Sequence, residues 1–174
     1  IGSGLVGSEM CIRDRISYRL VKLDKEERVV DLNKPQLLKG FNEVTKGNGY
    51  YKARFSTAAS PKELIAGNYM LRSIYKAKNT DHVIYTMESF EQYPDLHYAT
   101  LDFKKSIRLT HGIDQQKDYL WGTAELVSWI SLDGRKLEGV VYKPANFDPA
   151  KKYPMIVSFY ERNSETLFNY RMPE

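Results

Sequence analysis

Residues able to do chemistry are few in this chain, and their spacing narrows the choice further. It has one cysteine, Cys11, and three histidines, His82, His97 and His111. A single cysteine excludes an intrachain disulfide and a cysteine-ligated zinc cluster. The histidines show neither an i, i+4 pair nor a nearby carboxylate pattern, so they read as ordinary strand or loop residues. No metal site and no cofactor is expected. Gly2, Gly4 and Gly7 have the spacing of the G-x-G-x-x-G dinucleotide fingerprint. That motif needs a strand delivering the first glycine and a helix N-terminus after the last, and here only Ile1 precedes it.

Composition sets the class. The 174 residues are 42% hydrophobic, 28% charged and 13% aromatic, with 13 tyrosines, a mixture that favours strands over disorder. The net charge of +4 comes from Lys and Arg scattered among acids in nothing longer than pairs such as Lys104-Lys105 and Lys151-Lys152. Nucleic-acid binders concentrate basic residues on a face and interleave them with aromatics, so no nucleic-acid partner is expected. No apolar run approaches the ~20 residues of a membrane helix. Residues 1–15 lack the basic start and apolar middle of a signal peptide. They resemble the translated adapter-like tail GSEMCIRDR found at the ends of unrelated reading frames, and are expected to be non-native.

The elements that must position any site are short strands with polar punctuation. Residues 16–23 and Val29, Val30 and Leu32 predict a hairpin around the charged turn 24–27. Leu37, Leu38, Phe41 and Val44 fit a helical turn or an irregular strand. After Gly47-Asn48-Gly49, residues 50–55 are extended, with Leu64 and Ile65 on the return strand. Residues 70–77, 82–87, 96–101 and 107–110 predict four antiparallel strands, one blade-sized unit, with turns at 79–81 and 102–105 and a connection over 89–94. A faint repeat relates Leu23-Asp24 and Arg28-Val29-Val30 to Leu101-Asp102 and Ile107-Arg108-Leu109. Residues 112–123 read as a linker in which Trp121 anchors the connection.

The last third has the strongest local signals. Val127 to Ser131 and Leu137 to Tyr142 form a hairpin about Asp133-Gly134. Residues 144–152 are a surface loop, and 155–160 (MIVSFY) read as an apolar strand buried within a mixed sheet, begun by Pro154.

These residues carry a resemblance. The succession Ser131-Leu132-Asp133-Gly134, Leu137-Glu138-Gly139, Tyr142-Lys143-Pro144, Asn146-Phe147-Asp148-Pro149 and Lys151-Lys152-Tyr153-Pro154, with an apolar run ending at Tyr160, resembles the start of the catalytic domain in the prolyl oligopeptidase family of serine peptidases, near its dipeptidyl-peptidase branch. Tyr85-Thr86-Met87-Glu88-Ser89-Phe90 and Tyr93-Pro94-Asp95-Leu96 are similar to the last blades of that family's β-propeller.

The resemblance implies a mainly β then α/β fold. Residues 16–111 would be the last propeller blades, 112–123 a linker and 124–174 the first strands of a truncated α/β-hydrolase domain. It implies a peptide substrate, a periplasmic or secreted setting, and an acyl-enzyme route whose serine, Asp and His lie downstream. Outside the tail no glycine pair brackets a serine as G-x-S-x-G, so Ser128, Ser131, Ser158 and Ser164 are not nucleophile candidates. Tyr160 matches the family tyrosine whose hydroxyl donates to the oxyanion. Relatives follow that tyrosine with glycine-rich residues, whereas this chain has Glu161-Arg162-Asn163. Glu26-Glu27, in a turn, is not assigned to the acidic pair that holds a substrate amino group. A non-catalytic β-propeller-type binding module is the alternative.

Overall fold

The computed structural model describes residues 15–24, 26 and 29–172. Cys11, the Gly2/Gly4/Gly7 pattern and all of the expected tail except Arg15 lie outside them, as does Glu27. The chain is mostly β, built from three antiparallel sheets.

The first sheet has the order β1 (Ile16–Leu20), β2 (Gln36–Asn42), β3 (Asn48–Ala53) and β4 (Lys62–Gly67). The partner of β1 is therefore β2, with Tyr18 opposite Gly40 and Leu20 opposite Leu38. This corrects the expected hairpin: Val29 and Leu32 are exposed in the connection. The strand was hidden because β2 is covered on both faces. Leu37 belongs to one core and Leu38 to another, so QLLKGFN lacks the period-2 alternation of a half-buried strand.

Asn68 and Tyr69 lead directly into the second sheet, β5 (Met70–Lys76), β6 (His82–Ser89), β7 (Gln92–Thr100) and β8 (Ser106–Arg108), again in sequential order. The turn between β6 and β7 is shorter than expected, only Phe90 and Glu91, with Ser89 paired to Gln92. Pro94 consequently sits inside a strand. A register shift between Met87 and Ser89 frees that part of β7 from a regular ladder, which is where a residue without an N–H fits.

The two sheets share one core of Leu37, Tyr50, Leu71, Val83, Tyr85, Ala99 and Phe103. Tyr50 stacks on Phe103 at 5.2 Å and meets Tyr85 edge-on at 6.3 Å. Burial raises the pKa of Tyr50, Tyr69 and Tyr85, so these phenols stay neutral and act as packing groups that also hydrogen-bond. Tyr50 donates to the Arg72 carbonyl at 3.2 Å, and Tyr85 pairs with Ser106 at 2.9 Å. A smaller cluster of Leu38, Tyr51 and Ala53 lies on the far side of the first sheet.

Beyond a four-residue helix α1 (Ile113–Gln116), the third sheet is the hairpin β9 (Thr123–Ile130) and β10 (Lys136–Lys143). Gly134 turns it at φ +81°, a left-handed conformation that glycine adopts without a Cβ penalty. Residues 155–160 are the main departure from expectation. They form no strand, and Met155, Ile156, Phe159 and Tyr160 are largely exposed. A buried strand needs neighbours on both edges, and none among the described residues pairs with this run. The chain closes with a 3₁₀ turn, Asn163–Thr166. Among the described residues, no helix is long and apolar enough to cross a membrane.

Candidate functional site

Tyr160 is 83% exposed and follows an apolar run that is itself exposed. The two residues after it decide how it is presented. Arg162 has φ +56°, the left-handed region where a non-glycine residue costs roughly 1–2 kcal/mol, and leads into the 3₁₀ turn. Arg162 Nε is 3.1 Å from Glu165 Oε1, which helps hold that conformation. The backbone thus makes at Arg162 a turn of the kind glycine would make, even though glycine is absent.

The geometry makes no nucleophile of Ser128, Ser131, Ser158 or Ser164. Ser131 Oγ bonds Asp133 and receives the Arg135 N–H at 3.0 Å, which closes the β9–β10 turn. Ser158 is exposed. No histidine approaches Ser128, Ser131, Ser158 or Ser164 in any hydrogen bond among the described residues. His82 touches Thr80 at 3.3 Å and packs on Tyr98. His97 stacks on Tyr85 at 5.3 Å, with its Nε2 buried and unpartnered. Burial holds the His97 pKa below the usual imidazole value, opposed by Asp95 and assisted by Arg108. Asp95, fully buried, accepts from Thr110 Oγ1 at 2.7 Å and the Gly112 N–H at 2.8 Å. It ties the end of β8 back onto β7, a structural use of a carboxylate. Among the described residues no group of three or more His, Cys, Asp or Glu could hold a metal.

The chain on either side of the exposed run that ends at Tyr160 is fixed to the second sheet by an aromatic joint. Trp121 Nε1 donates to the Phe90 carbonyl at 2.7 Å, and its ring stacks on Tyr170 at 5.1 Å and 12°. Phe90 packs on Tyr142 of β10 at 5.1 Å, and Tyr93 on Tyr170 at 5.3 Å. The Tyr170 N–H reaches buried Glu88 Oε1 at 3.2 Å. Trp121 is thereby docked against the β6–β7 turn and Tyr170. Gly122 permits the approach: a Cβ there would stand 2.0 Å from the Lys143 carbonyl oxygen.

A second tie joins the hairpin to the first sheet. Lys46, almost wholly buried, places Nζ 2.8 Å from Glu138 Oε2 and 2.6 Å from the Glu43 carbonyl. The Lys46 hydrogen bond, chiefly, holds the Glu138 carboxyl below its usual pKa. This pair is not legible in the sequence, because its members are 92 positions apart in turn and strand contexts that look solvated. A cavity of about 530 Å³ opens among Val21, Leu37, Leu64, Leu101, Lys52 and Lys104, and Tyr160 does not line it.

No family model matches the sequence, and no curated protein does. Among solved structures the chain is similar to the AtxE2 isopeptidase with Astexin3-dC4 bound, at 12% identity and a TM-score of 0.47, covering 81% of this chain and 26% of that one. The apo form gives the same identity and TM-score over 80% of this chain. The chain spans about a quarter of the length of those proteins. At a TM-score of 0.47 the likeness carries no argument about fold or activity.

Proposed function

We propose that this chain is part of a serine peptidase of the prolyl oligopeptidase family, in which β1–β4 and β5–β8 are consecutive propeller blades and residues 124–174 open an α/β-hydrolase domain. The observation that carries this reading is the pair of sequential four-stranded meanders on a shared core, followed without a break by a hairpin docked back onto them. A cross-strand row on one face of the second sheet, Tyr75, Ile84, Tyr98 and Ile107, is apolar, with Tyr75, Ile84 and Ile107 exposed and Tyr98 half-buried, as suits a blade face where another blade packs.

In this reading the nucleophilic serine, its histidine and its aspartate belong to other parts of the polypeptide. The serine Oγ attacks the peptide carbonyl while the histidine takes its proton, and the Tyr160 O–H donates to the oxyanion that forms. Collapse expels the amine, protonated by the histidine, and water releases the acyl group. The 530 Å³ cavity and the joint at Trp121 serve architecture, not bond breaking.

Labelling with a fluorophosphonate is the test. The full-length polypeptide should be labelled and should cleave peptide p-nitroanilides, while the 174-residue chain alone should do neither. Absence of labelling in the full-length polypeptide would sink the proposal and favour a non-catalytic β-propeller binding module.

A further inference from the structure

A cationic cluster lies where β1 and β2 of the first sheet approach β5 of the second. Arg19 of β1 stands directly opposite Lys39 of β2, and residues facing each other in an antiparallel pair share a face, where like charges destabilise. Lys39 is half-buried, and its Nζ donates to the Leu71 carbonyl of β5. Arg72, the next residue along β5, carries the third charge. An ammonium has three donors, and this is the only hydrogen bond of the Lys39 side chain among the described residues.

Among the described residues, the carboxylate that acts on Lys39 is already engaged. Glu88, buried, accepts from Arg72 Nη2 at 2.6 Å and from the Tyr170 N–H. Neither Lys39 nor Arg19 has an ion-pair partner among the described residues. By contrast Lys46, more deeply buried than Lys39, has Glu138. Burial first, then Arg72 and Arg19, lower the Lys39 pKa, with Glu88 opposing. Three cations around one carboxylate leave a net positive cluster in which half-buried Lys39 has donors to spare.

We propose that Arg19, Lys39 and Arg72 form a carboxylate-binding subsite that selects peptides carrying an anionic group, either an acidic side chain or a free C-terminus. This rests on the reading of the chain as part of a peptidase, since it supplies that enzyme with a substrate preference. A carboxylate seated there would satisfy the remaining Lys39 donors and separate the like charges, and charge-assisted hydrogen bonds of this kind are the stronger ones.

The experiment is calorimetric titration of the full-length polypeptide, without turnover, using Ac-Ala-Glu-Ala-NH₂, Ac-Ala-Gln-Ala-NH₂ and Ac-Ala-Gln-Ala-OH. At least one carboxylate-bearing peptide should bind about tenfold tighter than the neutral one, with the advantage shrinking as salt rises. Which of the two wins identifies the source of the carboxylate. Lys39→Met should abolish the preference and Lys39→Arg should retain it. Arg19→Met, at an exposed position that leaves the core untouched, should reduce it at least threefold. Equal affinity for all three peptides in the wild type, or an undiminished preference in both Lys39→Met and Arg19→Met, would overturn the subsite. Fluorophosphonate labelling is read separately, so a labelled enzyme without the preference refutes the subsite alone. A preference without labelling refutes the peptidase reading alone.

Discussion

Replacing Glu138 by Gln should loosen the hairpin from the first sheet by a predictable amount. At 2.8 Å the gross attraction between Lys46 and Glu138 is about 6 kcal/mol for an effective dielectric constant of about 20. Desolvating two ions cancels most of it. Removing one partner of a fully buried pair costs about 3–5 kcal/mol, and an exposed pair contributes under about 1 kcal/mol. Here the lysine side chain is 6% exposed and the glutamate 27%, and Glu138 also has Lys136 at 3.6 Å. The loss for Glu138→Gln should therefore be about 2 kcal/mol, with Lys46 left beside the Glu43 carbonyl alone. Lys46→Met removes the buried charge with its partner still solvated and should cost about 1 kcal/mol.

Urea denaturation of the wild type, both single variants and the double variant, at low micromolar concentration, gives the coupling directly, and about 1–1.5 kcal/mol is expected. The pair also sets a pH dependence. The folded Glu138 pKa lies below its unfolded value, so its contribution is complete above about pH 4.3 and is lost as pH falls through the folded pKa. A single-variant cost under about 0.5 kcal/mol, additive effects in the double variant, or an unchanged acid limb in Glu138→Gln would refute the reasoning.

Other consequences follow from His97 and from the exposed run before Tyr160. His97 is held neutral by burial, with Asp95, Arg108 and Tyr85 around it. Its folded pKa is below the unfolded one, so stability is full above about pH 6.5 and falls as pH drops below it. The difference between the unfolding free energies of wild type and His97→Gln should therefore change between pH 7.5 and 5.5, and parallel curves would exclude the effect. Met155, Ile156, Val157 and Phe159 are mostly exposed, a patch that invites self-association. Sedimentation of the 174-residue chain should reveal concentration-dependent oligomers that Ile156→Lys suppresses while the melting temperature stays within about 1 °C; a monomer insensitive to that change would count against it.

Strand positions were legible where one face alone is buried. HVIYTM alternates buried Val83 and Tyr85 with exposed Ile84, and Asp133-Gly134 marks a turn by local chemistry, so β6 and the β9–β10 hairpin could be read from residue types. β2 could not, because coverage on both faces erases the period. Residues 155–160 failed in the opposite direction: composition reports how suited a run is to burial in a sheet, while its pairing depends on strands elsewhere. Tyr160 was identified by resemblance, and its exposure adds no catalytic neighbour. The Lys46–Glu138 tie and the cluster of Arg19, Lys39 and Arg72 are invisible in the sequence because they depend on which turns and strands meet, a property of topology.

The peptidase reading meets its most direct test in steady-state kinetics of the full-length polypeptide and its Tyr160→Phe variant on a peptide p-nitroanilide. Loss of one oxyanion donor should lower kcat by about 10²–10³-fold with KM little changed. Unchanged kcat in Tyr160→Phe, with the wild type active, would contradict the role given to Tyr160, and a wild type without hydrolytic activity would contradict the peptidase itself.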